Sequence, residues 1–175
     1  GRTFEGGLTG PTTVARKTPL NLGGGVHTIE TEIVSMSLTG FAGEVGRPGS
    51  GADLAVRESP TRASTGQVRT LPGPGDFPAE SFFDVFVEID LAMGGQPIQL
   101  MNPTAARVQA TINGIPPIEA DYVGNQPVPL YTGGQPSGCF LTHVQHVPVH
   151  PSHAKIKKEL ILIERKLDIL LLKHP

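Results

Sequence analysis

The sequence predicts a mainly β protein: an antiparallel β-sandwich of the jelly-roll or immunoglobulin-like kind, carrying one C-terminal amphipathic α-helix. Three observations predict it. The chain of 175 residues holds 22 Gly and 17 Pro, far above their usual combined share of about 12%, and these residues punctuate short β-branched and aromatic runs. Phe82–Leu91 alternates apolar and polar residues with a period of two, the mark of a strand with one buried face. After Ala154 the chemistry changes: Ile156, Leu160, Ile163, Leu167 and Leu170 recur at helical spacing, and Gly is gone.

Taken in order, residues 1–25 contain two extended stretches, Thr12–Arg16 and Thr18–Leu22, broken by Pro11, Pro19 and Gly23-Gly24-Gly25. They read as edge strands or an extended arm ahead of a sandwich domain at 26–147. His27–Leu38 holds Ile29 and Ile33 in one phase and Met36 and Leu38 in the other. A one-residue slip turns a strand inside out, so a bulge is expected at Ile33/Val34. Residues 43–64 read as a long polar loop. Gly66–Leu71 is a short strand, and Pro72-Gly73-Pro74-Gly75 a hard turn.

In Phe82–Leu91, Phe83, Val85, Val87, Ile89 and Leu91 face the core, while Asp84, Glu88 and Asp90 lie on the other face. Gln96–Asn102, Arg107–Ile112, Val128–Tyr131 and Cys139–Val147 complete the body. A Pro/His linker at 148–153 leads into the helix at 154–175, with Ser152 as its N-cap.

Charge is unevenly spread. Through residue 153 there are 8 Lys/Arg against 13 Asp/Glu; beyond it, 6 against 3. A mildly acidic body does not attract nucleic acid. The basic, greasy tail suits an acidic neighbour, and Leu at a with Ile at d favours trimers or tetramers. The expected oligomer interface is therefore Ile156, Leu160, Ile163, Leu167 and Leu170, with docking of the helix on its own body as the alternative. With its charges, this segment is not a transmembrane span.

Chemical motifs are few. His143, His146, His150 and His153 follow at spacings of three, four and three, which on one helix face would offer a metal site. Pro148 and Pro151 forbid that helix, and in a strand His143 and His146 face opposite ways. No metal and no cofactor are expected. The acids of the 82–91 strand could attract calcium, but a solvated acidic face is the commoner case. No P-loop, nucleophile elbow or dinucleotide fingerprint is present, so no enzyme is expected. Cys139 is the single cysteine and reads as a small buried hydrophobe.

Glu58-Ser59-Pro60, Ser64 to Arg69 and Phe77 to Ile89 resemble segments of uncharacterised secreted β-rich proteins of environmental bacteria, over about residues 27–120. That resemblance implies export and a β-rich domain, with no activity attached. Residues 1–20 hold no apolar signal segment, and the expected location is extracellular or at a cell surface. The expected function is a non-enzymatic structural subunit that self-assembles into a homo-oligomeric filament, sheath or shell. The alternative is a secreted ligand- or partner-binding module anchored by its helix.

Overall fold

The computed structural model describes residues 2–93, 95–149 and 166–167. The described chain is mainly antiparallel β-sheet. Its strands are β1 (Phe4–Thr9), β2 (Thr12–Arg16), β3 (Leu20–Asn21), β4 (His27–Glu44), β5 (Gly51–Glu58), β6 (Ser64–Thr70), β7 (Ala79–Val85), β8 (Val87–Met93), β9 (Gln96–Met101), β10 (Ala106–Ile112), β11 (Tyr122–Gly124), β12 (Val128–Thr132), β13 (Gln135–Leu141), β14 (Val144–His146) and β15 (Lys166–Leu167).

The pairing reduces these to a simple plan. β1, β2 and β3 run successively along one side of the long β4, and β5 and β6 run along its other side. β7 and β8 follow β6 and β5; β10 and β9 follow β7 and β8; β11 and β12, then β14 and β13, close the series. Through β14, the chain makes seven long strands, each neighbouring the next. The result is an open up-and-down meander, not the Greek-key order of a jelly roll or immunoglobulin domain. Hairpins with Gly at positive φ (Gly23 to Gly25, Gly46, Gly133 and Gly134) join most neighbours, and short local connections need no crossover.

The pairings fall into two sets, and most of the long strands are interrupted where they pass from one set to the other. At these breaks, buried polar side chains take over the hydrogen bonds of the ladder. Between β7 and β8, the Phe86 N–H donates to Ser64 Oγ at 2.8 Å, and its carbonyl accepts from the Ser59 N–H at 3.0 Å. Asn102, only 3% exposed, accepts from the Val87 N–H at 2.7 Å and donates to the carbonyls of Val85 and Thr104 at 2.8 and 2.9 Å. The Ser64 N–H donates to Glu58 Oε1 at 3.0 Å.

The bulge expected at Ile33/Val34 is present. Thr13 pairs with Ser35 and Val14 with Ile33, which leaves Val34 as the extra residue of β4. Val34 is exposed, while Ile33, Met36 and Leu38 are buried, so the bulge keeps both phases of the strand facing inward. The 82–91 alternation also holds: Val87, Ile89 and Leu91 are buried. The acids opposite meet arginines. Arg57 bonds Glu88 and Asp90, and Arg107 forms two bonds to Asp84, at 2.7 and 2.6 Å. This neutralises the row considered for calcium.

Two expectations are corrected. Residues 43–64 are not one loop: Gly51–Glu58 is β5, burying Leu54 and Val56. The tail is not helical where it is described. Lys166 and Leu167 pair antiparallel with Gly7 and Gly6 of β1, where an edge strand offers unpaired backbone groups to a passing segment. No helix occurs among the described residues, and none there is long and apolar enough to cross a membrane. Ile156, Leu160, Ile163 and Leu170 lie outside the described residues.

Candidate ligand cavity

The two halves of the curled sheet are filled differently. In the half built from β1, β5, β8, β9, β12 and β13, inward positions carry Phe4, Leu8, Leu54, Ile89, Leu91, Leu100, Leu130 and Leu141, packed in one cluster. Cys139 is buried in the same cluster. In the other half many inward positions are small. Thr31 of β4 faces Gly66 of β6, and Gly66 in turn faces Phe83 of β7, which faces Val108 of β10. Val68, Ser81 and Ala106 line the same space. The interior here encloses a cavity of about 600 Å³. That is within the range of small-molecule sites, on the order of 300–1,000 Å³.

The wall is largely apolar: Ile29, Ile33, Val68, Val85, Val108 and Ile112 supply much of it, together with Ile115 to Ile118 and Pro148. The polar groups are few and convergent. Tyr122 Oη donates to Ser81 Oγ at 2.8 Å in a buried pair, and the Tyr122 ring tilts against Phe83 at 5.7 Å between centroids. Burial pushes the Tyr122 phenol above its usual range, and Ser81 partly offsets this. Thr31, 9% exposed, and Thr12 both line the cavity, and their buried hydroxyls have no hydrogen-bond partner among the described residues. A buried hydroxyl without a partner is costly, and here both stand where an occupant would meet them.

β2 forms one rim. Directly paired residues of neighbouring strands share a face, so Val14 lies beside Ile33 and Arg16 beside Thr31 on the inner side. Val14 is 45% exposed, as expected where the meander is open between its first and last strands. Opposite this rim, Val144 and His146 of β14 line the cavity.

The residues singled out from sequence fare unevenly. His146 reaches the cavity wall, whereas His143 lies just before β14 with Nδ1 hydrogen-bonded to Asn125 Oδ1. His150 and His153 lie outside the described residues. No group of three metal-ligating side chains occurs among the described residues. Of the expected interface set, Leu167 alone is described, in β15. Thr12, Arg16, Thr31, Ser81 and Tyr122 were not picked out from the sequence. Hydroxyls and one arginine scattered over four strands form no motif, and only the register gathers them.

The chain matches no family model and no curated protein. Among solved structures it is similar to DynF from the dynemicin biosynthesis pathway of Micromonospora chersina. The TM-score is 0.59 at 19% sequence identity, over 87% of this chain and 79% of that one. At that identity the likeness concerns the fold. It also corrects the expected function: a shared fold with a biosynthesis-pathway protein, curled around a hollow interior, replaces the self-assembling subunit of a filament, sheath or shell.

Proposed function

We propose that this protein is a non-catalytic receptacle for an apolar small molecule, held inside the curled sheet. The observation that carries the reading is the cavity of about 600 Å³ with apolar walls and two unpartnered buried hydroxyls, Thr12 and Thr31. An apolar guest recovers the contacts that an empty interior forgoes, and the hydroxyls give it one polar anchor. The fold is shared with DynF, and the biosynthetic setting of that protein fits one that handles a small organic molecule. Binding is favoured over catalysis because the Ser81 hydroxyl and the Cys139 thiol are otherwise engaged: the first is bonded to a tyrosine, and the second is packed in the apolar cluster.

Calorimetric titration with a series of straight-chain alcohols tests this. Each buried methylene contributes about 0.8 kcal/mol, so two further carbons should tighten binding about tenfold until the cavity is full. A negative heat-capacity change should accompany burial of the chain. Affinity independent of chain length, or no saturable binding, would rule the reading out.

A further inference from the structure

Two neighbouring cations on β2 are treated in opposite ways. Lys17 points to the outer face, and its Nζ bonds Glu30 Oε2 at 2.6 Å across the β2–β4 pair. Arg16 points to the inner face beside Thr31. Its guanidinium has no ion-pair or hydrogen-bond partner among the described residues. None of the described cavity-lining residues is an Asp or Glu. The body is otherwise rich in acids, and two arginines of the outer face are paired with them: Arg57 with Glu88 and Asp90, and Arg107 with Asp84 in a two-pronged contact. The inner face therefore presents one cation at the rim, an orphan hydroxyl at the next position of the same row, and an apolar hollow beyond.

We infer that the cavity takes an amphiphile with a carboxylate, its apolar tail in the hollow and its head between the Arg16 guanidinium and the Thr31 hydroxyl. This rests on the receptacle reading and names its ligand class. Arginine suits the role because its planar fork matches a carboxylate with two parallel hydrogen bonds. The hydroxyl next to it donates a third, which supplies the partner that Thr31 lacks. At the rim the head stays close to water, so only the tail is fully desolvated.

The test uses one tail with three heads: dodecanoate, dodecanol and dodecyltrimethylammonium, titrated into the full chain and into the Arg16→Gln and Arg16→Lys variants. Arg16 is exposed on an edge strand, so both variants should fold, and equal melting temperatures check it. The expected order of affinity is carboxylate, then alcohol, then ammonium. In Arg16→Gln the carboxylate should lose about tenfold, as for one charge-assisted contact, with the alcohol unchanged. Arg16→Lys should keep part of the preference. Acidification below the carboxylate range should remove the preference for dodecanoate over dodecanol. Equal affinity for all three heads, or an unchanged acid-to-alcohol ratio in Arg16→Gln, would overturn the assignment of the head group and leave the receptacle standing. Absence of binding by all three would remove both.

Discussion

Glu58 shows how a single buried atom ties stability to pH. One carboxylate oxygen accepts the Ser64 N–H at 3.0 Å, while the other is buried without a partner among the described residues. Burial raises the carboxyl above its usual 4.5, and the bonds to Ser64 only partly offset this. The folded chain therefore holds a proton at pH values where the unfolded chain has already released it. Stability falls as pH rises from about 4.5 through the raised value, because the native state binds more protons there. Glu58→Gln should flatten that part of the curve. Urea unfolding at a series of pH values between 4 and 8 measures it, and an identical slope in variant and wild type would show that Glu58 is not responsible. Residues of this kind were opaque in the sequence: Glu58 and Ser64 read as loop, and nothing local marks a glutamate as half of a strand corner.

Among the elements, the break between β7 and β8 matters most, because buried side chains take over the hydrogen bonds of the ladder there. Asn102 gives three hydrogen bonds to the β7–β8 bend and the 104 carbonyl. Removing it strands the Val87 N–H in the interior, and an unsatisfied buried group costs about 1–3 kcal/mol. Asn102→Ala should lower stability by about 2–4 kcal/mol, a fall in melting temperature on the order of 5–15 °C for a chain of this size. A fall within a degree of wild type would mean that water serves the corner equally well. The strands themselves were largely legible. The period of two in 82–91 and the phase change at Val34 each follow from side chains alternating across a sheet, so the pattern itself reports the face. β5 was missed although Leu54 and Val56 alternate with Asp53, Ala55 and Arg57, because flanking Gly and Pro gave the stretch the look of a loop. The helix expected after Ala154 rested on spacing alone. At Lys166–Leu167 the free edge of β1 imposes strand geometry instead, a tertiary effect that local periodicity does not contain.

For the whole molecule, the cavity is a product of the register, which gathers its wall from strands far apart in the chain. Two apolar clusters fill the interior, and the cavity between them is walled by residues of both, Ile89 and Leu141 from one and Val68, Val108 and Ile112 from the other. No stretch of sequence displays that wall, because the residues concerned are dozens of positions apart and meet only through the register of seven strands. For this reason the sequence points to assembly, whereas the register reveals a cavity. Val108 offers the most direct test, because it is buried in the cavity wall beside its cross-strand neighbour Phe83. A phenylalanine there would grow into empty volume. The decisive measurement is the melting temperature of wild type and Val108→Phe, each with and without dodecanoate at about 100 times its dissociation constant. Wild type should gain about 2.7 kcal/mol, or roughly 5–10 °C, while the filled variant starts at or above the wild-type value and gains nothing. An equal ligand-induced gain in both proteins, or none in wild type, would contradict a ligand held inside the sheet.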